Sequence, residues 1–164
     1  MVVRSLALAS VIGAAALIAT ACSSNGDTPA PPTSDDGGTL ITCQNDPRAD
    51  TFVAKLERTG AAATMKFSLV AGDPAPPTRG INKWRVSITD MSGTAVPAAT
   101  VTAKPFMPDH GHGTSIRPVV TPDDAGSYAI DPLYFFMPGL WQVTLDVQNG
   151  AAKDSVVYTF CVPG

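Results

Sequence analysis

A chain of 164 residues with 11 Lys and Arg, 14 Asp and Glu and a formal net charge of -3 has room for one ordinary domain once a removable leader is set aside. No basic run supplies the phosphate-neutralising patch that nucleic-acid binding needs, so that partner class is excluded. Fifteen Pro and 14 Gly argue against an all-helical chain, because Pro removes a backbone donor and Gly raises the entropy cost of a helix.

The chain begins with one positive side chain, Arg4, followed by the apolar run Leu6–Ala21, LALASVIGAAALIATA. The run is rich in Ala and leads directly into a polar tract. That pattern predicts a cleaved secretory leader over residues 1–21 rather than a permanent span, which needs about 20 strongly apolar residues. Ala19-Thr20-Ala21 before Cys22 resembles a bacterial lipobox, with Ala19 where Leu is usual, and predicts Cys22 as the lipidated first residue of the exported protein. An ordinary A-x-A cleavage leaves Cys22 near the new terminus instead. Ser23, not Asp, follows the cysteine; by resemblance to Gram-negative lipoproteins this favours the outer membrane. The first expected partner is thus a membrane, reached through a lipid anchor. Residues 22–38 include SSNGDTPAPPTSDDGG, which has no large apolar side chain to offset the entropy of ordering, and read as a flexible stalk.

The expected domain is 39–164. It holds 10 of the basic and 11 of the acidic residues, a net charge of -1, too small to steer a partner electrostatically. With Cys22 acylated, Cys43 and Cys161 are left in an oxidising compartment, and a disulfide is the simplest reading. Such a bridge closes nearly the whole domain and contributes about 4 to 5 kcal/mol in the loop-entropy model. A reduced pair serving as metal ligands is the competing idea, but neither Cys has a second Cys or His at the short spacing of metal motifs.

Eight runs look like strands: Thr51–Leu56, Thr64–Val70, Lys83–Thr89, Thr100–Pro105, Ile116–Val120, Ser127–Ile130, Leu140–Val147 and Ser155–Phe160. Most place apolar residues at every second position. Turn chemistry separates them at Gly72-Asp73-Pro74, Asp90–Gly93, Pro122–Gly126 and Asn149-Gly150, the last predicting a tight hairpin. Phe52, Val53 and Leu56 also satisfy helical spacing, which leaves a helix over Asp50–Thr59 as an alternative. Asp124-x-Gly126-x-Tyr128 is the pattern that seats a Tyr at a corner of an immunoglobulin-like sandwich, its hydroxyl bonding back to the turn; a plain hairpin turn is the other reading. The fold class expected is all-β, an immunoglobulin-like antiparallel β-sandwich of about seven to eight strands. Trp84 and Trp141 fall on alternating runs and are expected in the core.

The only histidines, His110 and His112, occur in KPFMPDHGHG, residues 104–113. Residues i and i+2 of an extended chain project on one side, so two imidazoles at this spacing can reach one ion. Met107 adds a thioether, and a soft sulfur beside two imidazoles suits copper, Cu(I) above all, over Mg, Ca or Mn. Asp109 is a candidate to orient an imidazole from outside the coordination sphere, and Met137 a further sulfur if its loop lies nearby. The alternative is a turn whose imidazoles bond to carbonyls or to Asp109, with both methionines packed as core. No Gly-rich phosphate loop, G-x-S-x-G elbow or H-E-x-x-H occurs. The domain's single Glu is Glu57, so a hydrolytic site lacks its usual acid or base, and no catalytic residue is expected.

Met107-Pro108-x-His110, then Pro118-x-Val120, Gly126-x-Tyr128, Leu133-x-Phe135-x-Met137-x-Gly139-x-Trp141 and Val143 together resemble the YtkA-like, FixH-related domain family of exported bacterial proteins. The resemblance spans roughly residues 82–147. It implies a small β-sandwich of immunoglobulin-like type, and FixH-related members are associated with assembly of, or copper supply to, terminal cytochrome oxidases. FixH itself spans the membrane, whereas this chain reads as a stalked lipoprotein. The expected function is a non-enzymatic, tethered sandwich that binds copper through His110, His112 and Met107 for sequestration or delivery. The rival is a metal-independent structural or interaction module that recognises an envelope protein through its loops.

Overall fold

In the computed structural model the described residues are 43–123 and 125–164; the predicted leader, Cys22 and the stalk lie outside them. No helix among the described residues is long and apolar enough to cross a membrane. After a 3-10 turn at Cys43–Asn45 come nine strands: β1 Leu56–Thr59, β2 Met65–Asp73, β3 Gly80–Asp90, β4 Thr100–Met107, β5 His112–Gly113, β6 Val119–Pro122, β7 Ser127–Phe135, β8 Gly139–Asn149 and β9 Ala152–Val162. They form two antiparallel sheets, ordered β1-β2-β3-β7-β6 and β5-β4-β8-β9. With β2 taken as the first strand of an immunoglobulin sandwich, the orders become the ABED and C'CFG arrangement. Strand β1 is an extra edge, so the all-β immunoglobulin-like expectation holds.

Alternation builds the core. Phe67 and Leu69 on β2, Trp84, Val86 and Ile88 on β3, Ile130, Leu133 and Phe135 on β7, Trp141, Val143 and Leu145 on β8, and Tyr158 and Phe160 on β9 are all buried. These inner faces meet in one cluster, with Trp84 edge-on to Phe160 at 5.5 Å and to Tyr158 at 6.1 Å. The disulfide joins Cys43 to Cys161 across 118 positions, with Cα atoms 5.2 Å apart, and so ties the start of the described chain to β9.

Four local expectations need correction. Thr51–Leu56 is mostly not a strand, and the helical alternative is absent too. Leu56 N donates to Val53 O and Lys55 takes φ 63°, a turn that delays β1 to Leu56, while Phe52 packs on the Phe160 ring at 5.7 Å. The strand expected at Ile116–Val120 begins at Val119, because Ile116 is surface-exposed in the crossover between sheets. Gly72 and Asp73 belong to β2 rather than to a turn. The β8–β9 hairpin pairs Asn149 with Ala152, so its two-residue turn is Gly150-Ala151, with Gly at the first central position.

Tyr128 also differs from the expected corner. It lies on β7, the equivalent of strand E, and its hydroxyl donates to Val96 O at 2.6 Å and accepts from Ala99 N at 2.9 Å. It therefore clamps the 91–99 crossover between the sheets instead of its own turn. Replacing Tyr128 with Phe leaves Ala99 N buried without an acceptor and is expected to cost about 1 to 3 kcal/mol by denaturant titration.

Asp154 is one of two buried carboxylates among the described residues, Asp46 being the other. Its oxygens accept from Ala62 N at 2.8 Å, Thr64 N at 2.9 Å, Met65 N at 2.9 Å and Ser155 N at 2.8 Å. Burial raises its pKa, but those backbone donors together outweigh it and hold the carboxyl below the ordinary 3.8. A depressed pKa means stability fully present above the unfolded value and lost as pH falls through the folded one. Asp154→Asn is expected to lower stability at neutral pH and to flatten the decline below pH 3.8, read by denaturation at a series of pH values.

Candidate metal centre

The hairpin that carries the histidines grows from β4. Met107 ends that strand and is fully buried. The chain then turns within four residues: His110 N and Gly111 N both donate to Met107 O, at 3.3 and 2.9 Å, with Gly111 at φ 69°. It returns as β5, where His112 faces Met107 and Gly113 faces Phe106. Directly opposed residues of an antiparallel pair share one face of the sheet, with Cβ atoms about 4.5 to 5.5 Å apart. The register thus puts the Met107 and His112 side chains on one face of the sheet, Met107 buried and His112 half-buried.

The two imidazole centroids lie 5.6 Å apart. An ion held about 2.0 to 2.1 Å from one nitrogen of each ring leaves the centroids about 5 to 6 Å apart, so the spacing fits a shared ion. His112 Nδ1 sits 3.1 Å from Gly113 O. A carbonyl only accepts, so Nδ1 donates in this contact and Nε2 is the ring nitrogen available to a ligand. A ring nitrogen anchored on a carbonyl is the arrangement that orients metal-ligating histidines. The His112 ring stacks on Phe136 at 5.4 Å and 27°, half-buried, while His110 is exposed.

Phe136 and Met137 lie on the connection from β7 to β8. That connection is fixed by Arg79 Nε donating to Phe136 O at 3.0 Å and Trp141 Nε1 donating to Met137 O at 3.0 Å. The Met137 side chain packs against the hydrophobic core. The structure therefore brings His110, His112 and Met107 into one hairpin and sets Met137 on the neighbouring connection. Asp109 is placed differently from the sequence expectation. Both its oxygens accept from Arg48, Nη1 at 2.7 Å and Nη2 at 2.9 Å, and the ion pair, not an imidazole, orients it. Hydrogen bonding from Arg48 holds the Asp109 carboxyl below its ordinary range, and the same guanidinium does so for Asp46. Arg48 in turn is held well above its usual value, first by Asp46 and then by Asp109.

Among the described residues no group of three or more His, Cys, Asp or Glu side chains is arranged around one ion. The candidate donors are two imidazoles and a thioether, a set that suits a soft monovalent cation better than a hard divalent one. Arg48, Phe136 and Gly139 were not singled out for this site from the sequence. Arg48 is 61 positions from Asp109, beyond any local pattern.

The YtkA-like family model matches residues 59–146, more than half of the chain. The chain belongs to the YtkA-like family. The matched span contains the whole histidine hairpin and the β7–β8 connection. No curated protein matches the chain. Among solved structures, FetP of uropathogenic Escherichia coli strain F11, as isolated after periplasmic expression, is 10% identical with a TM-score of 0.41, over 71% of this chain and 95% of that one. A copper-bound variant of the same FetP gives 10% identity and a TM-score of 0.41, over 71% and 96%.

Gly139 is the tightest point of this YtkA-like site. It takes φ 132°, and a Cβ built on it would lie 2.6 Å from Met107 Cε, so the glycine both permits the backbone and seats the thioether. Gly139→Ala is expected to destabilise the domain by about 1 to 3 kcal/mol through overpacking and strain. Part of that loss should disappear in a Met107→Ala background, which denaturation of the native chain and the three variants of the cycle measures.

Proposed function

We propose that this YtkA-like protein is a non-enzymatic, lipid-anchored component of the cell envelope that binds one copper ion, as Cu(I), through His110, His112 and Met107. The observation that carries the reading is the β4–β5 hairpin, whose four-residue turn puts two imidazoles 5.6 Å apart and whose register pairs one of them, His112, with the buried Met107. Copper is cargo here. Three donors, of which His110 is exposed, leave a coordination position open, which suits sequestration or hand-over more than permanent storage. The anchor follows from Cys22 and the stalk, with the outer membrane as destination in a Gram-negative cell. Supply of copper to a terminal oxidase, as associated with FixH-related proteins, is one use of such cargo.

The test is an anaerobic Cu(I) competition titration of the purified chain against a chromophoric chelator. One-to-one binding is expected, lost in His110→Ala/His112→Ala and weakened in Met107→Leu, with folding unchanged by circular dichroism in the histidine variant. Failure of the native chain to compete overturns the copper reading and leaves the metal-independent interaction module, whose partner is then sought in the envelope.

A further inference from the structure

The segment Cys43–Asp50 is fastened at both ends and crosses to the histidine hairpin in between. At one end Cys43 is bonded to Cys161. At the other, Asp50 N donates to Thr159 O at 2.6 Å and Asp50 Oδ2 accepts from Thr159 N at 2.8 Å. Between these anchors the buried Asp46 carboxylate takes Arg48 N at 2.8 Å, Arg48 Nε at 3.0 Å and Arg48 Nη2 at 2.6 Å. The guanidinium is thereby aimed, and its other edge closes on Asp109, the residue before His110, through two bonds. A planar fork held by one carboxylate and presented to a second is geometry that Arg supplies and Lys does not.

Two observations say what this arrangement does. The Arg48–Asp109 pair is half-exposed on both sides, and such pairs contribute little to stability, so its directional content exceeds its energetic one. Cys43, Asp46, Arg48 and Cys161 also lie outside the span 59–146 that the family model matches, whereas Asp109 and both histidines lie inside it. The strap thus lies outside the matched span and the hairpin within it. A cleft of about 350 Å³ separates the two, lined by Cys43, Asp46, Arg48, Asp109 and His110 among others, so Arg48 is the bridge across it.

We propose that Arg48 is a positioning residue: through Asp109 it fixes the pose of the His110–His112 turn, keeps the His112 ring stacked on Phe136, and so sets the affinity of the hairpin for its ion. The last step rests on the copper reading above; the first two do not. The experiment has two arms on the purified full chain. In the metal-free arm, proton NMR of the imidazoles reads the ring-current shift that Phe136 imposes on His112. That shift is expected to collapse in Arg48→Ala and in Asp109→Ala, and to recover in part in Arg48→Lys. In the second arm, Cu(I) affinity is expected to fall about 2- to 5-fold in each single Ala variant, the scale that a half-exposed ion pair can impose on the pose of the turn, with no further fall in the double variant. A merely structural role moves the melting temperature and leaves both readouts unchanged well below it. Unchanged ring shifts in both Ala variants overturn the proposal. Absence of Cu(I) binding by the native chain overturns the copper reading, and the NMR arm still decides whether Arg48 positions the turn.

Discussion

The burial of Met107 at the end of β4 is the constraint on which the site depends. A side chain with no solvent exposure cannot swing out, so the strand that carries it has a fixed end, and the turn that follows starts from a fixed point. Its carbonyl accepts the two amides that close the turn; its strand position faces His112; its methyl end fills the space that Gly139 leaves free. Small shifts at any of these contacts move the histidines, because a close-packed core transmits displacement instead of absorbing it.

The sandwich supplies the rest of the support from both sheets. The hairpin belongs to the β5-β4-β8-β9 sheet, while Phe136, on which His112 stacks, leaves the end of β7 in the other sheet. The site therefore sits where the chain crosses between layers, and its geometry holds only if the sheets keep their spacing. Tyr128 clamps the 91–99 crossover between the sheets, and the Cys43–Cys161 bridge ties the start of the described chain to β9. Polar contributions are local. Asp154 serves the 60–65 turn and Asp46 serves Arg48, each a carboxylate satisfied by neighbours close to it in space.

Much of the fold was legible because alternation and turn residues are local signals. The runs containing Phe67 and Leu69, Trp84 to Ile88, and Val143 to Val147 announce half-buried strands, and the Cys pair announces its bridge once export is inferred. What misled was also local. Phe52 and Leu56 carry apolar side chains for packing on the core edge, not for strand or helix period, and the Asp-x-Gly-x-Tyr pattern fixes a tyrosine hydroxyl without saying which backbone it meets. Of the site, His110, His112 and Met107 could be grouped from spacing alone. Arg48 could not, because its partner Asp109 is brought near by the disulfide and the docking of residues 43–50 on β9. Asp109 was expected beside an imidazole for want of that partner.

The proposed mixed imidazole and thioether site is read by X-ray absorption at the copper edge of the anaerobically loaded chain. Two imidazole nitrogens and one sulfur are expected around the ion, the sulfur disappearing in Met107→Leu while both nitrogens stay. A shell of nitrogen and oxygen alone in the native chain, with Met107 still folded into the core, would contradict it.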